Sequence, residues 1–506
     1  MRLSRKSILS SLFWSSAGFI TGLVRTILLV PVFLANWDEH LYGFWLLVAN
    51  FYAISVYVIE GFSRYTINEY SKLFFQDKIK AYKYFGSSFR LIVLLTGGFC
   101  IVFFVLLHFT TPIEKIFHVN GGDVKYHYLQ YCLLVMFMLA CIHSVAKYLV
   151  YAVIPHGRIQ VPERFIAVYI LIEAIIWLIA AAGRLSLINL FLIYSLSLSL
   201  VSLLFVWVMV KNNRFYKIIL FRDKTVLQLN AAKGSLSLIV SNFCEKFTVE
   251  GLNFIVAGFF SALMVPVYTT MRTMANFIVT FTNMVVATFT IEYQKHYVAK
   301  DGKSLLNLFN GTWLLIGFII NYGIIIFYPS FPYLFSFWTS GKLIFDEAFF
   351  TCILATSICI AYGSNIIIYL KAVNRVREVI VVSVARATIL LSLIVIFPKQ
   401  LIFIGYSLLI TEVLINVVLL SGILYYELGR FQYGAVAKKI LWNILPFAFT
   451  AVYVLLNGLI DIEPYLKMTM ALILITVAYF IQIMKMDNEA LMVRLQILKY
   501  RLLGKK

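Results

Sequence analysis

Fourteen stretches of this chain run for about twenty residues with few charges, and nothing else constrains its fold so tightly. An apolar helix of that length crosses a bilayer, because each residue rises about 1.5 Å and the hydrocarbon core is about 30 Å thick. A transmembrane β-barrel is excluded: its strands alternate in polarity over about ten residues, whereas these runs are continuous. The composition agrees. With 62% hydrophobic and 13% charged residues and a mean hydropathy of +0.90, the chain is too apolar for a soluble enzyme or a disordered segment. The expected fold class is an all-α polytopic membrane protein.

The spans are expected at 7–33, 42–62, 86–108, 128–154, 162–183, 187–210, 234–260, 267–291, 305–329, 348–370, 379–397, 401–425, 441–459 and 465–484. The opening Met1–Lys6 could begin a signal peptide. The apolar stretch behind it is too long for one and has no small-x-small cleavage site, so a retained first span is expected. With the N-terminus inside, the inner segments carry 31 Lys and Arg and the outer loops five, an asymmetry that orients both termini to the cytoplasm. The formal charge of +20 therefore reads as lipid-facing cytoplasmic basicity, and no nucleic-acid partner is expected. The six cysteines all fall within spans, at spacings that suit neither a metal site nor a disulfide framework.

The longest basic inner loop, 211–233, divides the first twelve spans into parallel halves, 1–210 and 234–425. Two further spans occupy 426–484, and the tail 485–506 reads as a basic amphipathic helix with Leu491, Leu495, Leu498 and Leu502 on one face.

Charged residues inside spans are expensive and mark function or pairing. This chain holds Arg25, Glu60, Lys147, Glu173, Glu245, Lys246, Glu250, Arg272, Arg386 and Glu412 there. Helical spacing gathers several into polar faces: Ser15, Gly18, Gly22 and Arg25; Asn50, Tyr57, Glu60 and Arg64; Asn242, Lys246, Glu250 and Asn253; Thr269, Arg272, Asn276, Thr280, Asn283 and Thr290; and Glu412 with Asn416. Two bundles with polar faces toward each other would enclose a hydrated cavity, as a transporter needs. Plainer roles stand beside this one. Arg64, Arg90 and Lys147 could snorkel to the inner interface; Lys246 and Glu250 could be a structural pair; Glu173 could pair with Lys147. His143, one turn from Lys147, is either a proton carrier or a hydrogen-bonded structural histidine. Arg25 and Arg272 lie deepest and point most directly to a ligand. No Walker A, HExxH or GxSxG motif occurs, and no loop is long enough for a catalytic domain, so no enzyme activity and no cofactor are expected.

The stretch Trp37-Asp-Glu-His-Leu-Tyr42-Gly43-Phe44-Trp45, followed by Glu60-Gly61-Phe62, resembles the opening hairpin of bacterial polysaccharide flippases. Val265-Pro-Val-Tyr268 with the polar eighth span resembles its second-half counterpart, and Phe337-Trp338-Thr-Ser-Gly341 and Ala372-Val-Asn374-Arg375 fit as well. The resemblance covers nearly the whole chain and is to the O-antigen and capsule flippases, in the superfamily that includes MATE exporters and lipid II flippases. It implies a two-lobed MATE-like fold in the bacterial cytoplasmic membrane. The cargo it implies is an undecaprenyl-diphosphate-linked oligosaccharide, moved to the outer leaflet by alternating access and handed to a glycan polymerase and assembly machinery. By span it also implies cargo-binding arginines at Arg25, Arg64 and Arg272, with Arg64 nearer the inner end. Lys246, Arg386, Asn276 and Asn283 are further cavity candidates, and Glu60, Glu173, Glu250 and Glu412 are candidates for coupling to protons or sodium. A cation-coupled drug antiporter and a membrane glycan polymerase are the alternatives. The first would need an acid-dominated site and the second a large outer loop.

Overall fold

A computed structural model of the chain describes residues 5–109, 126–158, 160–183, 185–213, 216, 229–373, 375–429, 436–457 and 463–485. These residues form helices and turns, and no strand. Most of the loop 211–233 and the tail from residue 486, with its leucine face, lie outside them, as do Arg184 and Asn374. Eleven helices among the described residues are long and apolar enough to cross a membrane. The three other expected spans, 162–183, 234–260 and 267–291, are also largely helical. The chain is a multi-pass, all-α membrane protein.

The helices are α1 (Arg5–Asn36), α2 (Glu39–Gln76), α3 (Lys78–Phe109), α4 (Tyr126–Tyr151), α5 (Gln160–Ala182), α6 (Leu187–Asn212) and α7 (Leu229–Lys246). They continue with α8 (Leu252–Phe259), α9 (Met264–Ala287), α10 (Thr290–Val298), α11 (Gly302–Phe327), α12 (Phe331–Trp338), α13 (Glu347–Ala372) and α14 (Val376–Ile396). The last are α15 (Leu401–Glu412), α16 (Leu420–Gly429), α17 (Val436–Asn457) and α18 (Pro464–Lys485). Two π-helical segments, Phe247–Gly251 and Val413–Leu419, join α7 to α8 and α15 to α16.

The compact units are not those of the sequence division at 211–233. Unit 1 is Met1–Tyr268 with Trp338–Leu343, and unit 2 is Thr269–Phe337 with Ile344–Lys506. The seventh span belongs with unit 1 because α7 lies along α2: Asn242 Nδ2 donates to the Tyr57 carbonyl oxygen at 3.3 Å, and the Lys246 ammonium sits 4.0 Å from the Tyr57 ring centre. A second departure concerns 63–85, expected as an inner loop. It is helical but for Asp77, so α2 runs 38 residues, about 57 Å, well beyond a bilayer core. Asp38 starts α2 by accepting from the Leu41 N–H at 2.7 Å. Asp77 ends it and starts α3, taking the Ile79 N–H at 2.9 Å.

Gly43 is required where it stands. A Cβ there would strike the Ala262 carbonyl in the turn before α9 and crowd Pro266 in the first turn of α9. Thus the Tyr42-Gly43 and Val265-Pro266 stretches, far apart in sequence, meet within unit 1. In unit 2, α13 is the central helix, buried over most of its length and capped by Asp346, which accepts from the Phe349 N–H at 3.0 Å. The last two spans are fastened to α11 by polar side chains. Asn443 donates to Asn310 and Gln482 donates to Asn443, each at 2.7 Å, and Asn321 donates to the Tyr479 hydroxyl at 2.8 Å. Such bonds hold helices together where apolar contact gives no preference over lipid.

Candidate functional site

In unit 1, α1 and α5 run together closely enough that a Cβ on Gly18 would touch the Ala167 backbone at 3.4 Å. About two turns along that contact, the Arg25 guanidinium pairs with Glu173. The second carboxylate oxygen of Glu173 accepts from the Tyr194 hydroxyl on α6 at 2.7 Å. The two hydroxyls of Tyr52 and Tyr169 share a hydrogen bond at 2.6 Å. Two helices, α1 and α6, thus satisfy a largely buried carboxylate on a third, and a guanidinium left 29% exposed stays reachable.

The second pair in unit 1 is Lys147 with Glu60, Nζ to Oε1 at 3.0 Å, linking α4 to α2. Glu173 therefore takes Arg25, and Lys147 takes Glu60, because α5 lies along α1 while α4 lies along α2. His143 is buried, its ring centre 4.1 Å from that of Tyr169, and its Nδ1 has no hydrogen-bond partner among the described residues. The third pair, Lys246 with Glu250 at 3.7 Å, brackets the π-helical turn. A Cβ on Gly251 would collide with the Phe247 ring, so glycine lets this widened turn close. Widened turns re-aim side chains and occur often at functional sites.

Unit 2 repeats the motif. Arg386 Nε lies 3.0 Å from Glu412 Oε1, and Arg386 Nη2 lies 3.5 Å from Asn416 Oδ1. Asn416 sits in the second π-helical segment against Gly363, where a Cβ would strike its amide. At the far end of α16, buried Glu427 pairs with Arg375 at 2.8 Å.

On α9 the buried face is Met271, Ala275, Thr282 and Val286, and the polar stripe looks away from it: Arg272 and Asn276 are half-buried, Thr280 and Asn283 exposed. An exposed polar stripe on a membrane helix needs water or a polar ligand beside it. Arg64 lies on α2, with its side chain outside the described part of the structure.

The site candidates thus fall into two sets. Arg25, Glu60, Glu173, Lys246 and Glu250 lie in unit 1; Arg272, Asn276, Asn283, Arg386 and Glu412 lie in unit 2. All four candidate carboxylates are in ion pairs. Three tyrosines outside the polar faces read from helical spacing also belong here. Tyr194 and the Tyr52–Tyr169 pair join the site, and the available signal was a phenol placed mid-span, where its hydroxyl must find a partner. Among the described residues no three His, Cys, Asp or Glu side chains cluster as metal ligands would.

No protein-family model matches the chain, and no curated protein matches its sequence. Solved structures do match its fold. A lipid II flippase, MurJ, in an inward closed conformation superposes with a TM-score of 0.59 at 12% identity, over 98% of this chain and 100% of that chain. An inward-facing multidrug resistance MATE transporter of the MOP superfamily superposes with a TM-score of 0.60 at 12% identity, over 84% of this chain and 99% of that one. A MOP-superfamily transporter from Pyrococcus furiosus, described by the reverse polarity of its binding pocket, gives 0.57 at 13% identity over 85% and 96%. The chain has the MATE-like fold.

Proposed function

We propose that this protein is a flippase for an undecaprenyl-diphosphate-linked oligosaccharide, carrying it from the inner to the outer leaflet of a bacterial cytoplasmic membrane by alternating access. The observation that carries this reading is the extent of the fold match. The lipid II flippase superposes over 98% of this chain and the multidrug transporter over 84%. The basic groups in the spans agree with an anionic headgroup. Guanidinium binds a diphosphate through paired, charge-assisted hydrogen bonds; Arg25 and half-buried Arg272 offer that chemistry, and the Asn276 and Asn283 amides add neutral donors beside Arg272. Lys246 and Arg386, and Arg64 by its span, are further contacts of this kind.

The Arg25–Glu173 pair also gives the cycle a coupling step. A diphosphate that takes Arg25 displaces Glu173 from its counter-charge, which makes Glu173 the first candidate for coupling to protons or sodium. Glu60, Glu250 and Glu412, each paired with a base, are alternative coupling groups for protons or sodium. Consumption of the glycan on the outer side by a polymerase and its assembly machinery would be another source of direction.

The test is transport of a fluorescent undecaprenyl-diphosphate oligosaccharide in proteoliposomes, with and without an imposed proton gradient. Protein-dependent movement that slows without the gradient supports the coupled reading. Movement indifferent to it leaves a flippase driven by consumption. Export of organic cations without movement of the lipid would make the protein a drug antiporter.

A further inference from the structure

The chain of unit 2 makes one excursion into unit 1, at Trp338–Leu343 between α12 and α13. Two backbone carbonyls of α1 account for its docking there. Pro31 lies inside α1 and has no N–H, so the carbonyl four residues earlier, that of Ile27, loses its helical donor. The Trp338 indole Nε1–H donates to the Ile27 carbonyl oxygen at 2.7 Å. Leu34 lies in the last turn of α1, where carbonyls lack intrahelical donors, and the Lys342 ammonium donates to the Leu34 carbonyl oxygen. A cation there also suits the negative end of the helix dipole. Ile27 and Leu34 are two turns apart and so share a face of the helix.

The strap is shaped for this. Ser340 and Gly341 both have left-handed backbone, with φ of 54° and 69°, and the reversal returns Lys342 toward the helix that Trp338 already holds. Thr339 and Leu343 are buried beneath it, while Ser340 to Lys342 are exposed. Both donors are side chains, so the strap can leave α1 without breaking a helix of its own.

We propose that Trp338–Leu343 is a latch on α1: it satisfies the carbonyl that Pro31 strands, holds that turn in its present shape, and releases it when the strap lifts from α1. The proposal rests on the alternating-access reading above for its purpose, and on the orientation expected there for its place at the outer end of the protein. Its test needs no cargo.

Hydrogen–deuterium exchange on the full-length chain in nanodiscs provides it, read on peptides covering 26–38 and 336–346. In the wild type both peptides exchange through a shared opening that is faster than global unfolding. Trp338→Phe keeps the ring and removes the donor, and raises that opening about fivefold to tenfold, the factor of one ordinary hydrogen bond. Lys342→Met, at an exposed position, raises it in the same two peptides. Pro31→Ala gives Ile27 an intrahelical donor, so in that background Trp338→Phe changes exchange less than twofold. The latch is overturned if Trp338→Phe leaves exchange unchanged, if its effect is equal in the Pro31→Ala background, or if the wild-type peptides open only with global unfolding. Failure of lipid transport with this exchange pattern intact would sink the flippase and leave the latch. Normal transport without the pattern would do the reverse.

Discussion

Arg25 and Glu173 show how a structural and a ligand-binding role can coexist in one pair. Arg25→Ala strands a carboxylate that is only 15% exposed, and costs a few kcal/mol, toward the low end of the about 3–5 kcal/mol typical of broken buried pairs because the arginine side is partly open. Adding Glu173→Gln removes the stranded charge and keeps an acceptor for Tyr194, so the double variant regains most of the thermal stability and still fails to bind the diphosphate. Thermal melting beside a headgroup-binding assay separates the two effects. Asp301, outside the spans, gives a pH prediction. It caps α11 by accepting the Ser304 N–H at 2.9 Å, and its hydrogen bonds to Ser304 hold its carboxyl below the ordinary aspartate value. A depressed carboxyl stabilises the fold above its unfolded pKa, and that contribution is lost as the pH falls through the folded value. Asp301→Ala therefore costs about 1 kcal/mol at neutral pH and progressively less as the pH falls below the ordinary aspartate value of about 3.9, measurable as converging melting curves. The sequence made the intramembrane charges legible but not their partners: Glu173 was as free to meet Lys147 as Arg25. Periodicity identifies the face a residue occupies, and only helix packing decides which face lies opposite.

The helices themselves were legible wherever twenty apolar residues ran together, and less so where charge enters. The extension of α2 to Gln76 was hidden because hydropathy falls at Phe62, although no proline follows and Asp77 is the first good stop. The π-helical turns beside Lys246 and Glu412 leave no mark in a 3.6-residue pattern; their traces are Gly251, which the widened turn demands, and Gly363, which Asn416 demands from another helix. Two predictions belong here. Gly43→Ala drives a methyl into the Ala262 carbonyl and pushes α2 off the turn before α9, so folded yield falls, whereas Gly22→Ala, with open space around it, leaves yield unchanged; fluorescence-detected size exclusion reads both. Asn443→Leu breaks the Asn310–Asn443–Gln482 chain and strands amides in an apolar interior, lowering stability by about 1–2 kcal/mol and speeding exchange in α17 and α18 before α13.

At the scale of the molecule, the chain was divided by its longest basic loop, but the compact units part within α9 and the strap at Trp338 crosses back. Chain order alone could not reveal this, since α7 joins unit 1 through side chains on α2 and the strap joins it through a carbonyl that a proline sets free. The fold is that of transporters and flippases built on the MATE plan, and the reading of the cargo turns on whether the arginines of both units serve a lipid diphosphate. The most direct measurement is transport of undecaprenyl-diphosphate oligosaccharide in proteoliposomes by wild type, by the stability-restored Arg25→Ala/Glu173→Gln variant, and by Arg272→Ala, each checked for folding. The expected result is movement in the wild type and at least a tenfold loss in both variants, as removal of a charge-assisted contact of about 1.5–3 kcal/mol allows. Undiminished movement in the folded variants, or none in the wild type, would contradict it.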